Sequence, residues 1–488
     1  MSNRSSEGQA VGETTRVGFA QADISCAVGT PLGGNARTDK AARGVHDPLH
    51  ATVAVFVQGG RHHVMVGLDL LSAPSHLVAA IAGAIEARTG VPASCVFVSA
   101  THTHSGPDVG RGHGMDQHDY SMVDEWEHTA VASIAKAAAD AQRQTVPAGV
   151  RVVTSEVLGL SFNRRLIHRD GSTRMNWEGV PPEDVLGARG PVDPSLLVLA
   201  FYDDTGAPLG AVVHYTLHPA ILVGHEWLVS ADYVAEASSQ VSQSLGGRPV
   251  VFLNGALGNV NHLDFHAPGR AIGFPESARV GNAMGRAAVE AIAGSEGPTP
   301  LDVVRSRALS VTLEQRTVGR EQFEAARVLL ACSDGEVEAL DGIPAEAYAQ
   351  WAVTAGRELT PLLDVPIAIL QLQDVVLVYV PFEVFVEFGL LLRDAFPGQL
   401  VKVVSPANGY FGYLPTAVAF AEGGYEPTLG TSTISPGQGE RLFHHIGTEL
   451  RCMLRQEGPD QRGVKNRPIS RPPSKRSVRN HWVGRTRP

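Results

Sequence analysis

Short apolar runs, bounded by Gly, Pro, Asn and Asp, recur along this chain between longer stretches whose apolar positions return every three to four residues. The first kind predicts buried strands and the second amphipathic helices. Strands are expected at His63–Leu71, Cys95–Ser99, Val150–Val157, Leu196–Tyr202, Gly210–Tyr215, Pro249–Leu253, Ala368–Leu372, Val375–Val380 and Val401–Val404. Helices are expected at Pro74–Arg88, Ser121–Ala141, Tyr233–Leu245, Glu276–Ala293, Arg320–Cys332, Pro344–Glu358, Glu383–Ala395 and Gly437–Arg455. Ser72 before the first helix and Gly90 after it are start and stop signals, so His63–Ser99 reads as a βαβ unit. The alternation predicts an α/β fold, a mixed β-sheet core with flanking helices. Leu160–Pro194, rich in Gly, Pro and Arg and without either period, reads as a long functional loop.

Composition sharpens this division. Residues 1–15 are polar and glycine-rich, with no apolar segment of a signal peptide. From Gln461 to Pro488 the chain holds nine Lys or Arg, no acid and four prolines, a composition that cannot bury enough apolar surface to fold. The expected organisation is therefore a disordered 1–15, one catalytic domain over 16–457 and a basic disordered tail over 458–488. Outside that tail the balance is acidic, and the formal net charge of −10 argues against nucleic-acid binding, which needs a basic face. No apolar run approaches the roughly 20 residues of a membrane span. Cys26, Cys95, Cys332 and Cys452 are widely spaced, without a CxxC pair, which fits a reducing compartment and a cytoplasmic protein.

Candidate chemistry gathers where predicted strands end, the place where α/β sheets bind ligands. The strand Cys95–Ser99 runs into Ala100-Thr101-His102-Thr103-His104, and extended backbone lets His102 and His104 reach one centre. The strand ending at Tyr215 delivers His218, that ending at Val380 delivers Glu383, and that ending at Val404 delivers Tyr410 and Tyr413. Two imidazoles and a carboxylate form a ligand set suited to catalytic zinc. Taken singly, His218 could be a core histidine and Glu383 a residue favouring the start of a helix.

In this order the residues resemble the catalytic domain of the neutral, non-lysosomal ceramidases. The resemblance runs from Gly18-Phe19-Ala20-Gln21-Ala22-Asp23 to about Leu450. It is carried by Ser99–Pro107 (SATHTHSGP), Asn163-Arg164, His218-Pro219, Ser230-Ala231-Asp232-Tyr233, Asn254–Asn261 (NGALGNVN), Glu383, Tyr413 and Tyr425. It implies one zinc ion per chain, held by His102, His218, Glu383 and Tyr413. Tyr413 is preferred to Tyr410 because it precedes Tyr425 by twelve residues, the family's spacing between its two site tyrosines. His104, Arg164 and Tyr425 would line the reaction centre, with Asp69 and Asp232 as supports for ligand imidazoles. Asn261 stands where the family carries a serine, and its amide can still donate to an oxyanion.

The implied reaction is hydrolysis of a linear amide by metal-activated water, the zinc lowering the water pKa to roughly 7. His104 would shuttle the proton, and Arg164 and Tyr425 would stabilise the developing charge. The family's secreted members carry a signal sequence and a C-terminal β-sandwich domain, neither of which is expected here. A soluble small-molecule amide or lipid-like N-acyl compound is therefore the expected substrate. The competing readings are an esterase or lactone hydrolase on the same site and a catalytically silent protein that keeps the fold.

Overall fold

The computed structural model describes residues 14–34, 40–111, 119–223, 225–267, 272–332, 343–358 and 360–455. The proposed tails lie outside them, apart from residues 14–15, as do residues 456–457 of the proposed domain. The fold is mixed α/β, as the periodicity predicts.

A large sheet holds eight long strands: β1 (Arg16–Asp23), β2 (His50–Gln58), β3 (Arg61–Leu68), β4 (Val96–Ala100), β5 (Val146–Glu156), β6 (Ser195–Asp203), β7 (Pro208–Tyr215) and β8 (Val250–Asn254). Their spatial order is β8-β7-β6-β5-β1-β2-β3-β4, with Thr299–Pro300 added along β5. Only β3–β4 and β7–β8 pair in parallel. A second sheet follows as β9 (Val304–Glu314), β10 (Leu362–Leu372), β11 (Val375–Tyr379) and β12 (Leu400–Val404), in sequence order and parallel only between β11 and β12.

The strands β1, β2 and β9 are missing from the sequence expectations. β2 is buried on both faces and so forms a nearly continuous apolar run, the very pattern that marks a buried strand, so its absence from the expectations has no structural cause. Val53 and Val55 face α1 (Ser75–Thr89) and α2 (Ser121–Arg143), while Ala54 and Phe56 join the core that runs on to Leu370 and Tyr379 of the second sheet. Helices α3 (Tyr233–Ser244) and α4 (Phe274–Ala293) cover β6–β8. After α5 (Arg320–Cys332) and α6 (Ala345–Glu358), α7 (Val386–Ala395), α8 (Ala417–Glu422) and α9 (Gln438–Arg455) complete the helices among the described residues. Of these, α7 and α9 pack on the second sheet. No described helix is long and apolar enough to cross a membrane.

Two sequence expectations need correction. Leu160–Pro194 is not a bare loop: Arg165–His168, Thr173–Met175 and Val185–Ala188 form a small sheet, and Phe162–Asn163 pairs with Val260–Asn261. These strands are too short to show a period. The helix expected from Glu383 begins only at Val386, because Glu383–Val384 is a short strand paired in parallel with Tyr413–Leu414.

Two buried histidines cross the seam between the sheets. The His63 Nε2 lies 3.0 Å from Ser306 Oγ, and the His214 Nε2 lies 2.8 Å from the Val403 carbonyl oxygen. Burial, reinforced by nearby cations, lowers both pKa values to about 4. The unfolded chain takes up these protons near pH 6.5 and the folded chain only near pH 4, so stability is full above 6.5 and is lost as pH falls. The loss is of order 3 kcal/mol per histidine at pH 4. Melting temperature should therefore drop between pH 7 and pH 5, with a shallower slope in His63→Gln; equal melting temperatures across that range would refute the assignment.

Candidate active site

The ends of β4, β7, β11 and β12 meet at one place because side-chain amides and backbone bridges tie them together. Asn254, at the end of β8 and fully buried, donates from its side-chain nitrogen to the carbonyls of Thr101 (2.9 Å) and Leu217 (2.8 Å), the residues just before His102 and His218. Its Oδ1 accepts the Leu217 N–H. Asn408 makes the matching tie to β4, exchanging hydrogen bonds with Val98. Glycine is required twice where backbones close in. A Cβ on Gly258 would run into the Glu383 carbonyl, and one on Gly34, whose φ is +81°, would run into the His104 ring.

Here the imidazoles of His102, His104 and His218 converge, each offering a ring nitrogen within 4.8 Å of the others. The His104 and His218 Nε2 atoms stand 3.0 Å apart. His102 Nδ1 donates to the Leu71 carbonyl (2.6 Å) and His104 Nδ1 to that of Gly34 (3.0 Å). With Nδ1 protonated, both Nε2 atoms present lone pairs to the centre. Burial, then His102, Arg164 and His104, push the His218 pKa well down, so this ring is neutral and able to ligate.

Glu383 Oε2 is buried 3.2 Å from His102 Nε2 and 3.9 Å from His218 Nδ1, beside the group of His102, His104 and His218 whose ring nitrogens lie close enough to share an ion. Burial opposes the Glu383 charge, but His102, Tyr413 and Tyr410 outweigh it and hold the pKa at about 2. The residues present thus fit a metal ion. Of the two tyrosines, Tyr410 gives its hydroxyl to Glu383 Oε1 at 2.7 Å, while Tyr413 sits beside Glu383 in register and also hydrogen-bonds Arg164.

Arg164 is buried against this cluster, its Nη1 3.4 Å from His218 Nδ1 and its plane near Trp177, Tyr413 and Tyr425. Burial works against its charge, but Tyr413 and Glu426 prevail and keep it protonated. Its Nε donates to Glu426 Oε1 (2.8 Å), whereas Nη2 finds no partner among the described residues. Tyr425 meets Tyr413 and Trp177 edge to face.

Asn261, on the short strand paired with Phe162–Asn163, has other partners. Its amide is engaged by Asn176, each side chain donating to the other's oxygen at 2.7 and 2.8 Å, and its oxygen also accepts the Leu263 N–H. The aspartates serve elsewhere as well. Asp232 caps α3 and accepts from Ile221 and Leu222, and Asp69 accepts the His50 N–H. Backbone carbonyls orient His102 and His104 instead.

Sequence reading missed Glu426 and the clasp made by Asn254. Asn254 was visible as the first residue of the NGALGNVN segment, but its partners were not. We expect Asn254→Ala to weaken metal affinity about 10–100-fold, the usual cost of losing an outer support, because two carbonyls that place ligands lose their donor. Titration against a metal-buffered series measures this, and unchanged affinity would refute the clasp.

Comparison with known proteins bears on the sequence of the first half of the chain and on the fold. Residues 16–256 match the family described as neutral/alkaline non-lysosomal ceramidase, N-terminal. A neutral ceramidase of Pseudomonas aeruginosa is 25% identical over 237 residues, which make up 46% of this chain and 33% of that relative. The aligned region is thus about a third of the relative's length. The crystal structure of neutral ceramidase from Pseudomonas aeruginosa superposes with a TM-score of 0.69 at 20% identity, covering 93% of this chain and 77% of that one. A ceramidase solved in complex with C2 gives a TM-score of 0.68 at 20% identity, with coverage of 94% and 78%. Residues 16–256 thus carry the N-terminal part of the neutral/alkaline non-lysosomal ceramidase family, and the fold follows that of a neutral ceramidase along nearly the whole chain.

Proposed function

We propose that this protein is a zinc-dependent hydrolase that cleaves a linear amide, releasing a carboxylic acid and an amine from an N-acyl substrate. The observation that carries the reading is the unpartnered Nη2 of Arg164, a charged donor buried beside three converging imidazoles. A buried donor left open costs stability unless a ligand atom completes it. A carbonyl oxygen gaining negative charge is such an atom.

Zinc would be held by His102, His218, Glu383 and Tyr413, as in the family resemblance, and would supply Lewis-acid activation of water and of the scissile carbonyl. His104 is only half-buried, and its Nε2, 3.0 Å from His218 Nε2, would take the proton of the attacking water. The same ring would return that proton to the departing nitrogen. Arg164 Nη2 and the Tyr425 hydroxyl would donate to the oxyanion, and the ion pair with Glu426 keeps the guanidinium from turning away. Asn261, tied to Asn176, shapes the wall near Arg164 rather than touching the reacting atoms. Four unpaired cysteines support a reducing, cytoplasmic setting.

The test is a screen of zinc-loaded protein against N-acyl amines, from ceramide to short-chain amides, with free amine as the readout. Turnover of one of these, abolished by chelator and restored by Zn²⁺, is expected. Amine release that persists after the metal is stripped, or hydrolysis of esters and lactones alone, would refute it.

A further inference from the structure

Three backbone segments run side by side next to His104. Residues 29–32 pair with residues 40–42 through the Gly29 N–H to the Ala42 carbonyl (2.7 Å), the Ala42 N–H to the Thr30 carbonyl (2.8 Å) and the Leu32 N–H to the Lys40 carbonyl (2.8 Å). On its other side the same segment meets residues 106–108, the Asp108 N–H donating to the Pro31 carbonyl (2.8 Å) and the Gly33 N–H to the Gly106 carbonyl (2.9 Å). This middle segment leads to Gly34, the carbonyl of which accepts from His104 Nδ1 at 3.0 Å.

An ion pair joins the two outer segments across the middle one. Lys40 Nζ lies 2.6 Å from Asp108 Oδ2, the two residues being 4% and 2% exposed, and the Tyr120 hydroxyl donates to the same oxygen at 3.2 Å. Desolvation offsets much of the attraction in a pair so deeply buried, so stability alone is a poor account of it. What the pair fixes is position, because residues 40 and 108 each bond the segment between them, and that segment carries the Gly34 carbonyl. Which nitrogen of a neutral imidazole holds the proton is set by the hydrogen bond made at the other. A shift of about 0.6 Å in that carbonyl would take the contact with Nδ1 out of hydrogen-bond range and release the ring to its other tautomer.

We propose that Lys40 and Asp108 are positioning residues for His104: their ion pair holds the Gly34 carbonyl where it keeps the proton on Nδ1 and leaves the Nε2 lone pair for the attacking water. The use made of that lone pair rests on the hydrolytic reading, whereas the state of the ring does not.

Lys40→Met alone would leave a buried carboxylate unpaired and endanger folding, so the test uses the full chain with Lys40→Met and Asp108→Leu together, which removes both charges and keeps apolar side chains in their place. In Zn²⁺-loaded protein with ¹⁵N-labelled histidine, the His104 signals are identified by their absence from His104→Gln. They should show the proton on Nδ1 in the parent chain and a mixture of tautomers in the double variant. Zinc content should be unchanged, and kcat should fall about 10–100-fold with KM kept, the usual cost of losing an outer support. An unchanged His104 tautomer in the double variant would overturn the proposal, and so would loss of zinc, which would make the pair a support of the whole cluster. A parent chain without amide turnover whose His104 tautomer still changes in the double variant would end the hydrolytic reading and uphold the positioning.

Discussion

His218→Ala is expected to purify without stoichiometric metal and without amide hydrolysis. The ring is neutral, buried and set 3.0 Å from His104, so its loss removes a donor that no neighbour can replace. Supports around a metal ligand cost 10–100-fold in affinity when lost, so a ligand itself should cost more than about 100-fold. His102→Ala and Glu383→Ala belong with it. Tyr425→Phe is the contrasting case: metal content is kept and turnover falls roughly 100-fold to 1,000-fold, the usual effect of losing one oxyanion donor. Metal analysis by mass spectrometry beside a turnover assay separates the two, and full zinc occupancy in all three alanine variants would end the ligand assignment.

Glu426→Ala should have the largest effect on stability. The carboxylate, with no exposure, receives Arg164 Nε at 2.8 Å on one oxygen and Arg165 Nη1 at 2.7 Å on the other. Arg165 is itself almost fully buried, and a further hydrogen bond runs from it to the Gly423 carbonyl. Removing the carboxylate leaves two interior cations without their shared counter-charge, which typically costs about 3–5 kcal/mol. Denaturant unfolding measures the loss. Glu426→Gln, which keeps the shape and one acceptor, should recover part of the stability while turnover stays low, because the guanidinium beside His218 is no longer held by charge. A midpoint for Glu426→Ala equal to that of the parent chain would refute the bridge.

The pairing of Glu426 with Arg164 shows where sequence reading stops. The two are 262 residues apart, and neither carries a local pattern that names the other. By contrast, His102 and His104 are two residues apart just beyond a strand end, a spacing visible in the sequence, yet the backbone there is not extended: His102 has a φ of +75°, so a turn and not the pleat sets the two rings. Glu383 lies between these cases. A glutamate before an apolar helical stretch reads as a helix start, yet pairing with Tyr413 holds it extended, and that pairing turns its carboxylate toward His102. Likewise Asn261 read as a free donor until Asn176, from the Leu160–Pro194 segment, was seen to take its amide.

Sequence by itself determined most of the strands and helices of this protein, though not β1, β2, β9 or the short strand at Glu383, and which strand ends carry imidazole, carboxylate and phenol. Those properties depend on apolar period and residue chemistry within a few positions. Tertiary structure decided which of those groups meet, what orients each ring and where a buried charge finds its partner. Such contacts are made across hundreds of residues by the packing of two sheets, and no local period encodes them.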